Sequence, residues 1–195
     1  MPMDKPIHIL GYGSLIWDLD DLAPKVRGGW RMAAGPALPL EFSRVSPKRK
    51  LSLVVVIDTA AGDPCPTHVI ESARGSVAGA VVDLAARERT EAEHIGWVDM
   101  AAGTAHSNRA GVADTVREWC AATGAGGAVW TDLDGNFETA TGAPFTLARG
   151  IAYLRTLEGD SLAAALEYIN GAPVETSTPL RRALIANPWW RSLTE

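Results

Sequence analysis

Apolar and polar residues divide the chain into two textures. Up to about Ala102 the apolar residues come in short runs bounded by Gly, Pro and charged clusters, as strands do. "PIHIL" reads as a short buried strand, and "ALPLEFSRV" and "KLSLVVVID" as two more, separated by a basic turn around Pro47. Leu53 to Ile57 is a continuous run rich in β-branched residues, of central-strand character. "THVIES" and "HIGWVDM" add two shorter strands, while "DLDDLAPKVRGGW" reads as a polar connector broken by Pro24, Gly28 and Gly29. Ser76 stands as an N-cap ahead of a helix from Val77 to Arg89, in which Val77, Val81 and Leu84 share one stripe at about 100° per residue.

Beyond Ala102 the period lengthens. "GVADTVREWCAAT" is a helix stopped by "GAGG", and "PFTLARGIAYLRTL" and "DSLAAALEYING" are two more amphipathic helices. Between them "GAVWTDLDGNFETA" predicts a hairpin turning at Asp134-Gly135. The tail "NPWWRSL" carries two tryptophans that need a surface to cover them. Strands first and helices later make the class α+β. The expected division is a core over residues 1–103 and a mostly helical C-terminal extension over 104–195, packed on that core.

Composition narrows the function classes. At 195 residues with 47% hydrophobic content the chain is long enough for a sizeable core. A formal charge of −5 argues against a nucleic-acid partner, and the single basic cluster "RVSPKRK" is too short to reverse that. No run of about 18 apolar residues signals a membrane span. The N-terminus lacks the apolar core of a signal peptide, so a cytoplasmic soluble protein is the expectation. Cys65 and Cys120 stand far apart and the four histidines show no ligand spacing, so no metal site is signalled.

Two features carry candidate chemistry. In "ILGYGSLIW" an apolar run exits into Gly11, Tyr12, Gly13, Ser14 and Leu15. Backbone N–H groups bared in such a loop form a nest for a carboxylate or an oxyanion, with Tyr12 as a wall and Ser14 adding a hydroxyl. Gly11 and Gly13 permit close approach and unusual φ values. Neither a dinucleotide fingerprint nor a P-loop follows. The second feature is Glu88, which falls on the apolar stripe of the Val77 helix while Arg87 and Arg89 lie off to either side as solvent-facing charges. A carboxylate turned towards a core has its pKa raised, which suits a general base or acid near neutrality. Glu91 is the substitute if the helix continues.

These residues, in this order, resemble the γ-glutamyl cyclotransferase fold, most nearly its glutathione-degrading ChaC-type branch. That family's Tyr-Gly-Ser-Leu signature is matched by Tyr12, Gly13, Ser14 and Leu15, and its late-helix catalytic Glu by Glu88 in "LAARER". Trp97 stands near the family's Tyr. The resemblance covers roughly residues 7 to 100. It implies a small mixed β-barrel or sheet with flanking helices. It also implies cleavage of a γ-glutamyl amide or peptide by intramolecular aminolysis to 5-oxoproline, with no cofactor and no metal. Glu88 is then the catalytic residue, and Tyr12 to Leu15 with Trp97 bind substrate. Arg44, and Lys48 or Arg49 beside it, is placed after the second strand to pair with a substrate carboxylate. Where the ChaC-type branch carries Gly-Ser-x-x-His-Arg-Gly, this chain has "SRVSPKRKLS", which leaves the leaving group open. The alternative is a protein of the same fold that binds a small anionic metabolite without turning it over. The sequence leaves the oligomeric state open.

Overall fold

In the computed structural model, which describes residues 5–194, the contacts gather the chain into two compact units. The first takes the chain up to Leu38 together with Pro66–Leu133; the second takes Pro39–Cys65 together with the chain from Asp134 onward. The core expected to end at residue 103 instead runs on to Leu133, because a strand from the later half is built into its sheet.

The strands are β1 (Ile7–Gly11), β2 (Val26–Arg31), β3 (Ala37–Ser46), β4 (Ser52–Ile57), β5 (Asp63–Pro66), β6 (His68–Ser72), β7 (Ile95–Asp99), β8 (Thr104–His106) and β9 (Gly127–Thr131). The helices are α1 (Val77–Glu88), α2 (Val112–Thr123), α3 (Phe137–Thr141), α4 (Leu147–Arg155), α5 (Gly159–Gly171), α6 (Pro179–Ala186) and α7 (Pro188–Ser192). The fold is mixed α and β, as expected, but the sheet of the first unit is open rather than a barrel. Its order is β2-β6-β1-β9-β7-β8, with β2 and β8 as unjoined edges.

Two expectations along the chain are corrected. The supposed connector before Trp30 contains β2, an edge strand whose register shifts between Arg27 and Arg31, where Gly28 and Gly29 lie. The supposed hairpin after Gly127 is a single strand, β9, followed by a loop and the short α3. Asp134-Gly135 does not turn a strand back. Asn136 instead brackets Val45 with its side chain, accepting from the Val45 N–H and donating to the Val45 carbonyl, both at 2.8 Å.

In the first unit β1 runs antiparallel to β6 and parallel to β9, with Ile7 opposite Gly127 and Leu10 opposite Trp130. β7 runs antiparallel to β9. Thus β6–α1–β7 is a parallel crossover that passes over β1 and β9. Helix α1 covers the face holding Ile7, Ile9, Ile70, Ile95 and Val129. His8 lies on the opposite face by strand alternation, and its ring meets Trp119 of α2 edge-on at 5.8 Å. Trp130, fully buried, fills the space above Gly96, which sits directly opposite it in the ladder. Helix α1 also buries Asp83, whose carboxylate takes Arg74 Nε at 2.6 Å and Nη2 at 2.9 Å, with Lys25 Nζ at 3.4 Å. The Arg74 hydrogen bonds hold its carboxyl below the usual carboxylate range, against the opposing effect of burial.

The second unit pairs β4, β3 and β5 in one sheet, with α5 packed on β4. Phe42 meets Tyr168 edge-on at 6.1 Å, and Trp190 is buried with its indole N–H on Asn170 Oδ1 at 3.1 Å. Trp189 carries the Arg155 guanidinium at 4.7 Å, so the tail tryptophans do meet a surface. The basic turn is also tied down: Arg49 lies over Tyr168 at 5.8 Å and Lys50 reaches Asp160 at 3.3 Å. Glu41 is fully buried, accepting from the Phe42 N–H at 2.7 Å and the Leu180 N–H at 3.0 Å. Burial pushes its carboxyl up to about 6, with Asp58 adding to the rise, although bonds from Phe42, Thr178 and Leu180 favour the ionised form.

Two outcomes follow from this packing. A Cβ on Gly96 would stand 2.1 Å from Trp130 Cε2, so Gly96→Ala is expected to lower the unfolding free energy by about 2–3 kcal/mol. A urea midpoint equal to that of the parent would contradict the packing described. For Glu41 the folded value lies above the unfolded one. Its stabilising contribution is therefore complete below about pH 4.5 and is lost as pH rises through about 6. Chemical denaturation across that interval should show a loss on the order of 2 kcal/mol that is absent from Glu41→Gln.

Candidate functional site

The parallel pairing of β1 with β9 puts the carboxyl ends of both strands at one edge of the sheet. In open sheets ligand crevices form at such ends. Helix α1 runs alongside β9 to the same edge. At its start Val77 Cγ2 lies 2.6 Å from where a Cβ on Gly127 would stand, and at its end Glu88 meets Thr131. The two sequence features, the Tyr12–Leu15 loop and Glu88, are thereby brought together.

Thr131 joins them. Its hydroxyl donates to Glu88 Oε1 at 3.2 Å, and its carbonyl accepts the Tyr12 hydroxyl. Tyr12 is buried and clamps the loop to the end of β9, and Leu15 is buried in the α1 core. Ser14–Ile16 forms a single 3-10 turn, closed by the Ile16 N–H on the Gly13 carbonyl at 3.1 Å. The N–H groups of Gly13, Ser14 and Leu15 donate no hydrogen bond among the described residues. Gly11 and Gly13 do not take positive φ. Gly11 is needed for space instead: a Cβ there would stand 2.6 Å from the Trp30 ring and 2.9 Å from Ile16 Cδ1.

The charges flanking Glu88 differ from expectation. Arg89 is exposed, in the left-handed region at φ 53°, and ends the helix with its N–H on the Ala85 and Ala86 carbonyls. That sharp stop strands Glu91 beyond the helix in an exposed position, so Glu91 is not a substitute acid. Arg87 is not solvent-facing. Its side chain is only 8% exposed, against 16% for Glu88. Arg87 Nη1 donates to Glu88 Oε1 at 3.1 Å, and Nη2 donates to Ser14 Oγ at 3.4 Å and to the Asp18 carbonyl. Glu88 therefore enters the core edge as one half of an ion pair whose other half also grips the loop.

Trp97 and Arg44 make other contacts. Trp97 is level with Val129, two residues back from the Thr131 row, and packs on the α1 core with its ring 6.4 Å from His106. Arg44 belongs to β3 of the second unit, where its guanidinium donates to the Asp134 carbonyl. Sequence reasoning missed Arg87 and Thr131. The signal for Arg87 was its adjacency to Glu88; Thr131 had none, since its partners are remote in the chain. Among the described residues no group of three or more His, Cys, Asp or Glu is placed to hold a metal ion, and no helix is long and apolar enough to cross a membrane.

The Tyr12 bond is testable on its own. Tyr12→Phe leaves the Thr131 carbonyl without its donor and should cost about 1–2 kcal/mol in urea unfolding. An unchanged midpoint would show that the clamp does not hold the loop. Comparison with models of known protein families, with curated proteins and with solved structures finds no match to this chain.

Proposed function

We propose that this protein is a γ-glutamyl cyclotransferase-like enzyme, cleaving a γ-glutamyl amide or peptide to 5-oxoproline with Glu88 as the proton-transfer group. The observation that supports the reading is the Thr131 junction, where the late-helix acid and the Tyr-Gly-Ser-Leu loop bond to the same residue.

In the proposed reaction the substrate's α-amine attacks its own γ-carbonyl carbon. Glu88 takes the proton from the α-ammonium, freeing the nitrogen lone pair to form the ring C–N bond. The tetrahedral oxyanion collapses as the bond to the leaving nitrogen breaks and Glu88 returns its proton to that nitrogen. Glu88 then takes the second proton from the ring nitrogen, giving the lactam N–H, and passes it to the expelled amine, which departs as an ammonium. Atoms and charge balance without a further reactant. The nucleophile is tethered within the substrate, so the protein supplies folding of the substrate and proton movement. The Gly13, Ser14 and Leu15 amides are the donors offered to a substrate carboxylate or to the developing oxyanion.

A panel of γ-glutamyl amines and peptides, assayed for 5-oxoproline, tests this. At least one member is expected to turn over, with Glu88→Gln slower by about 10²-fold or more while its circular dichroism shows the parent fold. Binding of panel members without product from the wild-type chain would favour a metabolite-binding protein instead. Equal rates in Glu88→Gln would remove Glu88 from the mechanism.

A further inference from the structure

Resting on that reading of Glu88, we propose that Arg87 is the positioning residue of the site, fixing the carboxylate against the Tyr12–Leu15 loop and so setting turnover rather than affinity. Its guanidinium joins two elements far apart in sequence, the end of α1 and the exit of β1. One nitrogen holds the acid, at 3.1 Å from Glu88 Oε1; the other holds the loop, at Ser14 Oγ and the Asp18 carbonyl. The side chain is more than nine-tenths buried, yet its Nε is among the buried atoms that find no hydrogen-bond partner among the described residues. Burying a cation and leaving one of its donors unspent is costly. An arrangement selected for stability alone would satisfy or expose that donor, as Arg74 does by placing Nε and Nη2 on Asp83 with half its side chain in solvent. The Arg87 fork is instead committed to three acceptors, one on the end of α1 and two on the exit of β1.

Loss of this side chain acts at both places. Glu88 keeps Thr131 but loses the bond that fixes the carboxyl from the helix side, and the loop loses its hold at Ser14 and Asp18. Misplacing a reacting group by about 1 Å costs about 10²-fold in rate. Lysine cannot reproduce the effect, because one ammonium does not span acceptors arranged for a planar fork.

The test uses Arg87→Met, Arg87→Lys and Arg87→Ala in the full chain, with two readouts. One is steady-state release of 5-oxoproline from the γ-glutamyl substrate that the parent turns over best. The other is amide hydrogen exchange at Ile16, Trp17 and Asp18, whose N–H groups close the turn onto Gly13 and Ser14. In Arg87→Met, kcat is expected to fall about 10²-fold with KM within about threefold. Exchange at the three amides should rise at least about tenfold with β1 and β9 unchanged. Arg87→Lys should fall between, and added methylguanidinium should restore kcat of Arg87→Ala at least about tenfold. A raised KM with kcat retained would make Arg87 a substrate contact and overturn the proposal. Faster exchange spread through β1 and β9, or no change in either readout, would also overturn it. If the parent releases no 5-oxoproline from any panel member, the Glu88 reading fails by itself. Exchange then decides for Arg87: selective loss of protection at the three amides supports its hold on the loop, and retained protection refutes it.

Discussion

The parallel pairing of β1 with β9 is the constraint on which the rest of the first unit depends. Antiparallel neighbours would put the exit of one strand beside the entry of the other. Parallel neighbours put both exits together, and here those exits are the Gly-Tyr-Gly-Ser-Leu loop and Thr131. The register matters as much as the direction. With Leu10 opposite Trp130, Thr131 shares the α1 face with Val129 and meets Glu88. A slip of one residue would turn Thr131 to the α2 face and bring Trp130 against α1. Trp130 itself guards against that slip, because its indole fits only where the neighbouring strand has glycine, at Gly96.

Helix α1 carries two inward-facing carboxylates, Asp83 and Glu88, each paired with an arginine, and they differ in what the arginine does next. Asp83 collects Arg74 and Lys25, which are more exposed than it is, so that pair is a local anchor. Glu88 sits in the last turn, where the helix dipole opposes a negative charge. Its partner Arg87 is more buried than the acid and continues to the loop. The first pair fastens a helix to its surroundings. The second couples a helix end to a strand exit, so a change at either is felt at the other.

Features set by local periodicity were legible in the sequence, and features set by long-range partners were not. The stripe through Val77, Val81 and Leu84 placed Glu88 on the buried side of α1, where it lies. The β-branched run at Leu53 to Ile57 gave β4. The central position of β9 was not legible, because "GAVWTDLDGN" carries a local hairpin signal, while its partner β1 lies some 119 residues away, the separation between Tyr12 and Thr131. Strand β2 was hidden by Gly28 and Gly29, which read as breakers and fall where its register shifts. Arg87 was misread for a different reason. Helical spacing gives the direction of a Cβ, and an arginine stem is long enough to carry its guanidinium from an off-stripe Cβ to a buried acceptor.

The exit of β1 is a turn held from three sides. The loop is held by the Tyr12 hydroxyl on Thr131, by Leu15 in the core and by Arg87 on Ser14 and Asp18. These ties restrain the segment while leaving the Gly13, Ser14 and Leu15 amides unspent. The ordering cost is thus met during folding rather than on binding, which favours any ligand that those amides suit. Preorganisation of this kind matters most where the reacting groups already share one molecule. A substrate that carries its own nucleophile gains little from a flexible site that closes around it. In the proposed reaction it gains from a fixed set of donors that bends it into a ring, with a carboxylate held in reach of both the nitrogen that gives up a proton and the nitrogen that leaves with one.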